Sequence, residues 1–307
     1  MIHAMNIIET HDLSVRYGHT EALRSLNLTV PSGSVFALLG ANGAGKTTAI
    51  KVLVNLLRPT AGIATVLGTD SRKLSPAQFE QIGYVSENQE LPGWMTVRQL
   101  LDFCRPFYPT WDRDLERTLL KALDLPEDRK LKNLSRGMFM KASLLSSLAY
   151  RPKLLVLDEP FSGLDALVRE EFVHGLLEVF GSGEWTILIS SHDIEEIERL
   201  AGTVGVIDEG RLQSSESIES LLGRFRRIEG TLGSDNGNLT PPEGVLEWQR
   251  DGTFVRFVET AYTTDKLDDL QKGVLPGALL QARPMTLREI FVSQARNSRA
   301  NSRRISS

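Results

Sequence analysis

Apolar and polar residues alternate through "IIETHDLSVRY" and "EALRSLNLTV" near the start of the chain, the period-two pattern of half-buried antiparallel strands. "SVFALLG" breaks that rhythm with a short continuous apolar run, which suits a strand covered on both faces. A glycine-rich turn follows, then the periodic "TTAIKVLVNLLRP", a predicted helix that stops before Pro59. From about Ser75 to Ala149 the pattern is helical and rich in rings: Trp94, Phe103, Phe107, Tyr108 and Trp111. Continuous apolar runs return in "KLLVLDEP", "TILISSH" and "TVGVIDEG", with helical sequence between them. Strands alternating with helices predict an α/β sheet, here carrying a helical insertion.

After about Leu222 the texture changes. "GTLGSDNGNLTPPEG" reads as a turn-rich linker and "VLEWQRDGTFVRFV" as a hairpin around Asp251-Gly252. "TTDKLDDLQKG" and "TLREIFVSQAR" look helical, with "GALLQARP" as a strand between them. The expected organisation is therefore a domain over residues 1–223 with its helical subdomain at about 75–149. A small α+β domain over 224–295 and a disordered Ser/Arg tail over 296–307 complete it.

Composition narrows the partners. A length of 307 residues allows one large core and a smaller one. A net charge of −4 argues against nucleic acid as the main partner. The single cysteine, Cys104, allows no internal disulfide and no cysteine metal cluster, so a packing role is expected. No apolar run approaches the ~18 residues of a membrane span, and "MIHAMNIIETHDL" is too polar for a signal peptide. A soluble, cytosolic chain is expected, reaching any membrane through a partner.

The chemistry begins at "GANGAGKT". It fits G-x-x-x-x-G-K-[ST] from Gly40 to Thr47, directly after a predicted strand and opening a helix. Gly40, Asn42, Gly43, Ala44 and Gly45 form the expected turn, whose backbone N–H groups curl round phosphate at a helix N-terminus. Lys46 would set its ammonium against the β- and γ-phosphates, Thr47 would offer its hydroxyl to Mg²⁺, and Thr48 could reach the α-phosphate. "LLVLDEP" ends a buried strand on two acids, where open α/β sheets bind ligands. Asp158 would hold Mg²⁺ through water, and Glu159 is the candidate base for an attacking water. No N-K-x-D guanine reader follows, so the nucleotide expected is ATP.

The order "VRYG", "GANGAGKTT", "IGYVSE", "LSRGM", "LLVLDEP", "SGLD" and "SSHD" resembles the nucleotide-binding subunit of an ATP-binding-cassette (ABC) transporter over residues 5 to 220. The ending "PMTLREIFVSQ" resembles, more weakly, single-cassette ATPases of bacterial drug, sodium and antibiotic exporters. The resemblance implies an α/β P-loop NTPase ABC cassette: a mixed sheet core, an antiparallel β subdomain and a helical insertion. It implies an ATPase with ATP and Mg²⁺, working as a head-to-tail homodimer or heterodimer with a second cassette. Its place would be the cytoplasmic face of the cell membrane, powering a separate permease. Ser135 and Gly137 of "LSRGM" would cap the γ-phosphate of the ATP on the second cassette. Tyr17 would stack on adenine, Asp165 would communicate across the dimer, and His192 would hold the γ-phosphate and Glu159 in register.

Two motifs depart from the family pattern. The usual signature is Leu-Ser-Gly-Gly-Gln, so Arg136 adds a guanidinium, for phosphate, an acidic partner or solvent, and Met138 replaces the glutamine. The glutamine that senses Mg²⁺ should follow "IGYVS"; Glu87 stands there as a candidate metal ligand, with Gln89 two residues on. In the family a permease helix docks in a groove formed with the helical subdomain, where Trp94 and Met95 are the residues expected at the surface. Two rival readings remain. One is an ATP-gated regulatory or resistance protein with little hydrolysis. The other is a soluble ABC protein acting on DNA or ribosomes, which the single uninterrupted cassette, without heptads or a cysteine cluster, disfavours.

Overall fold

A computed structural model of the chain describes residues 5–180, 185–233 and 240–305. The chain divides into two compact units, residues 1–215 and 216–307; the change of texture in the sequence was placed at 223.

The first unit opens with β1 (Asn6–Tyr17), β2 (Thr20–Leu26) and β3 (Thr29–Pro31). Period-two alternation becomes alternation of burial: Ile8, Leu13, Val15, Leu23 and Leu26 are buried while Arg16 and Glu21 are exposed. Next come β4 (Val35–Leu39), α1 (Lys46–Leu53), β5 (Ala61–Val66) and β6 (Thr69–Asp70). β1, β2, β3, β5 and β6 make an antiparallel five-stranded sheet, in the order β2-β1-β5-β6 with β3 also on β1.

The second sheet follows through α2 (Pro76–Phe79), β7 (Ile82–Ser86), α3 (Val97–Cys104), α4 (Arg113–Ala122) and α5 (Arg136–Leu148). It continues through β8 (Leu154–Asp158), α6 (Ala166–Phe180), β9 (Thr186–Ser191), α7 (Ile194–Glu198), β10 (Thr203–Asp208) and β11 (Arg211–Ser217). Its strand order is β11-β10-β4-β9-β8-β7, with β10, β4, β9, β8 and β7 parallel. Every residue of β8 and β9 is buried, as continuous apolar runs require. Phe36, Leu38, Ile50 and Leu53 join Ile8, Leu13 and Val30 in one core, so the first sheet, the second sheet and α1 share it.

The region expected to be wholly helical, 75–149, is corrected by β7, the edge strand of this sheet. Its Gly83 lies so close under the end of α5 that a Cβ would stand 2.7 Å from the Ser147 carbonyl oxygen. The helices on either side behave as their sequences suggest. α3 opens in a Thr96–Gln99 capping box, and Asp112 caps α4. Tyr108 stacks on Tyr150 at 3.8 Å, and Trp111 donates from Nε1 to Glu116 at 2.6 Å. Trp94 is 67% exposed as expected, but Met95 is 7% exposed and corrects the expectation; Phe79, Phe103 and Phe107 are exposed as well. Cys104 is half-buried, and burial raises its thiol pKa, in keeping with a packing role.

The second unit contains α8 (Ile218–Arg224), β12 (Arg226–Thr231), β13 (Leu246–Asp251), β14 (Phe254–Glu259), α9 (Lys266–Lys272), β15 (Leu279–Pro284) and α10 (Leu287–Ile305). An antiparallel sheet of order β13-β14-β12-β15 buries Ile228, Val255, Phe257 and Leu280 with Leu270 and Leu275. The expected hairpin is present, with Asp251 opposite Phe254 and Gly252 at φ 56° in its turn. The middle of the expected linker, 234–239, lies outside the described residues. α10 carries helix into the Ser/Arg stretch expected to be disordered, as far as Ile305. Among the described residues no helix is long and apolar enough to cross a membrane.

Candidate functional site

Three loops follow three adjacent parallel strands. The order β4-β9-β8 brings the turn after β4, the residues after β9 and the end of β8 to one edge of the sheet, the edge where such sheets bind ligands.

After β4 the backbone turns through Gly43 at φ 84° and Gly45 at φ 111°, and Gly45 caps α1. Gly40 has no room for a side chain, since a Cβ would meet the Ile207 carbonyl oxygen at 2.4 Å. Asn42 and Gly43 are exposed, Ala44 and Gly45 are buried, and Thr48 is half-buried on the first turn of α1. The first N–H groups of α1 therefore face out of a closed turn, the arrangement that binds anions. Lys46 is 4% exposed. Its ammonium donates to the carbonyls of Gly40 at 2.6 Å and Ala41 at 3.1 Å, and stands 3.0 Å from Glu159 Oε1.

Asp158 and Glu159 are 3% and 9% exposed. Asp158 Oδ1 accepts from Thr47 Oγ1 at 3.0 Å and from Ser190 Oγ at 2.8 Å. Burial pushes the Asp158 carboxyl above the ordinary carboxylate pKa, and the Ser190 and Thr47 bonds pull it back. A hydroxyl and a buried carboxylate at one point are hard oxygen donors, and a cation there would offset the desolvation that raises the acid. The set fits Mg²⁺.

Glu159 has φ 51°, a left-handed conformation that costs a non-glycine residue roughly 1–3 kcal/mol and that clusters at functional sites. Its N–H donates to Ser190 Oγ at 2.9 Å. His192 Nδ1 lies 2.8 Å from Glu159 Oε2; a carboxylate only accepts, so Nδ1 carries the proton. Glu159 Oε1 has no aligned hydrogen bond among the described residues, and its 3.0 Å approach to Lys46 is an ion pair without that alignment. The His192 loop is itself held. Asp193 caps α7 through the Glu195 N–H, and Arg169 of α6 reaches Asp193 at 3.4 Å and Glu196 at 2.7 Å.

The remaining expected residues lie elsewhere in the first unit. Tyr17 is 50% exposed at the β1–β2 turn, free to present a ring face. Ser135 caps α5 by accepting from the Met138 N–H at 3.2 Å. Asp165 accepts from the Val168 N–H at 2.9 Å at the start of α6, a capping role its motif did not suggest. Gly137 has a reason to be glycine inside its own chain, because a Cβ would stand 2.2 Å from Val168 Cγ1. Glu87, expected beside Mg²⁺, accepts through Oε1 from Arg136 at 2.6 Å and Ser162 at 2.7 Å. Gln89 lines a different feature, a groove of about 270 Å³ with Phe79, Tyr84, Leu91, Tyr108 and Tyr150. Sequence reasoning missed Ser190. The signal available was a hydroxyl ending a buried strand in "ILISSHD", where an unpaired hydroxyl would be costly.

A phosphate-binding turn, a Thr–Asp pair and a buried glutamate paired with an exposed histidine on neighbouring parallel strand ends define a P-loop ATPase. The sequence profile of the ABC transporter family matches residues 23–162. The chain is 31% identical over 223 residues to the bacitracin transport ATP-binding protein BcrA of Enterococcus faecalis, covering 72% of each. It is 27% identical over 288 residues to the ABC transporter ATP-binding protein YtrB of Bacillus subtilis (strain 168), covering 94% of this chain and 98% of that one. A solved ATP binding subunit of an ABC transporter matches at a TM-score of 0.63 and 26% identity, over 70% of this chain and 91% of its own. The chain belongs to the family of ABC transporter ATP-binding subunits.

Proposed function

We propose that the chain hydrolyses ATP as the motor of a transporter, pairing head to tail with a second cassette around two ATP at the cytoplasmic face of the membrane. The observation that carries the catalytic part is the asymmetry of Glu159. Oε2 is tied to His192, while Oε1 is buried without an aligned hydrogen bond. An acceptor so oriented suits a water that gives up its proton. The water oxygen bonds to the γ-phosphorus, the bond to the bridging oxygen breaks, the proton passes to Oε1, and ADP and phosphate leave. Lys46 exchanges the Gly40 and Ala41 carbonyls for phosphate oxygens, which draws its charge away from Glu159 and leaves that carboxylate with His192. Thr47 and Asp158 would hold Mg²⁺, which would offset phosphate charge.

Export through a separate permease is the further part of the reading. It is supported by resemblance to exporter ATPases and by the presence of a ring-lined groove bordered by Tyr84, Gln89 and Tyr108. Steady-state ATPase of the purified protein beside Glu159→Gln tests the motor. Hydrolysis should fall about 10²–10⁴-fold while ATP-dependent dimerisation persists. Equal near-background rates in both proteins would instead favour a nucleotide-gated regulatory subunit. Lys46→Ala should weaken ATP binding itself, and unchanged affinity would remove the phosphate-loop assignment.

A further inference from the structure

Two of the three residues at which this chain leaves its family's pattern, Glu87 and Arg136, meet in the fold. Arg136, the first residue of α5, donates through Nη2 to Glu87 Oε1 at 2.6 Å across a sequence separation of 49. Ser162 Oγ donates to the same oxygen at 2.7 Å. The guanidinium lies over Gly163, whose Cβ, if it had one, would stand 2.5 Å from Arg136 Nη1 and 2.6 Å from Cζ. The backbone completes the junction: the Glu87 N–H donates to the Asp158 carbonyl at 3.0 Å, and the Ser162 N–H to the Glu159 carbonyl at 3.2 Å. One carboxylate therefore joins the end of β7, the turn after the two acids, and the start of α5.

We propose that Glu87 and Arg136 are a matched pair, in which Glu87 positions the signature turn and the turn 160–165 and does not serve as a magnesium ligand. Arg136 correspondingly serves Glu87 inside its own chain and not the phosphate of a neighbouring cassette. Two observations support this. The shared oxygen already has two donors. Glycine at 163 leaves the space the guanidinium occupies. Charge explains why the departures come together. Glu87 without Arg136 would add an acid with no cation partner near Asp158 and Glu159, and Arg136 without Glu87 would be an unpaired cation beside Ser135. The consequence of the proposal is mechanical. The surface offered to a second nucleotide is fastened to the acids that work on the first, which rests on the dimer reading above.

A double-mutant cycle with Glu87→Gln, Arg136→Gln and both together tests it, with Arg136→Lys as the charge-retaining control. Backbone hydrogen exchange at 136–139 and 160–165 in the nucleotide-free chain is the first readout. Each single variant should speed exchange in both segments by about threefold or more, and the double variant should return toward wild type, since residues in contact couple while independent ones add. Arg136→Lys should recover part of the protection. The second readout is the Mg²⁺ dependence of ATP hydrolysis, which should differ by less than about twofold between wild type and the double variant. Two results overturn the proposal: single effects that simply add in the double variant, or a ~10-fold higher Mg²⁺ requirement whenever Glu87 is replaced, whatever stands at 136. The exchange arm needs neither dimer nor hydrolysis. Coupling there, with ATP-dependent dimerisation absent in every protein including wild type, would uphold the pair and sink the dimer reading instead.

Discussion

Replacing Ser190 with alanine tests whether one hydroxyl holds the acidic end of β8 together. Ser190 is fully buried, donates to Asp158 Oδ1 at 2.8 Å and accepts from the Glu159 N–H at 2.9 Å. The substitution removes a bond to a carboxylate, typically about 1.5–3 kcal/mol, and leaves a buried N–H without its acceptor, about 1–3 kcal/mol. The vacated oxygen leaves less space than a water molecule needs, so solvent does not readily replace it. Asp158 keeps its Thr47 bond, which moderates the loss. A net destabilisation of roughly 2–4 kcal/mol follows, a large part of the ~5–15 kcal/mol that holds a domain together. The penalty depends on pH with a definite sign. The native Asp158 carboxyl is raised by burial above its usual 3.8, so its contribution is complete below that value and is lost as pH rises through the native one. Ser190→Ala deletes a bond that lowers the native value, which makes the charged acid still less favourable, so the deficit grows with pH. Urea unfolding of the first unit, followed by circular dichroism at pH 5 and pH 8, should show the larger gap at pH 8. A loss below about 0.5 kcal/mol at pH 8, or a gap that shrinks with rising pH, would refute the bonding scheme.

Gly137→Ala should destabilise by about 1–3 kcal/mol through overpacking, because the new methyl meets a β-branched side chain at 2.2 Å that a helix holds stiffly. Adding Val168→Ala should recover at least half of that in a thermal melt, and no recovery would show that the clash is not the cause. Glu196 is buried and its carboxyl is pushed up to about 7 from 4.5, with Arg169 at 2.7 Å pulling the other way. A raised carboxyl stabilises most below its unfolded value, so wild-type stability should fall as pH rises from 4.5 to about 7. At about 1.4 kcal/mol per pH unit that fall amounts to roughly 3 kcal/mol. Glu196→Gln should flatten the dependence of the urea midpoint over that window, leaving Arg169 its contact with Asp193; an unchanged slope would contradict the burial argument.

What the sequence made legible is local in the chain. The phosphate turn is built by consecutive residues, so its spacing could be read directly. Asp158 and Glu159, and His192 beyond its strand, each follow a short apolar run that reads as a buried strand. The order β4-β9-β8, which makes neighbours of those strand ends, follows from no property of any one segment. β7 went unrecognised because five residues of mixed character, Ile82–Ser86, amid helical sequence are too few to show a period of their own. β12 went unrecognised because Ile228 is its one fully buried side chain, while Arg227 and Glu229 are balanced by charges from other elements. Met95 and Trp94, adjacent in one turn, take opposite environments.

The residues whose roles needed the fold are those whose reason for being is a contact. Gly137 offered a reason in phosphate approach; packing supplies a second in Val168, contributed by another helix. Asp165 offered a reason in communication between subunits, and it also caps α6. Arg136 and Glu87 carry this furthest. Taken one at a time, an arginine in the signature could serve phosphate, an acidic partner or solvent, and a glutamate in the glutamine's place could serve metal or oppose phosphate charge. Once Arg136 Nη2 is 2.6 Å from Glu87 Oε1, each residue is the other's partner, and neither needs ligand chemistry to account for its charge. Replacing one alone would leave an unmatched charge at the edge of the site, whereas replacing both with neutral residues would leave none.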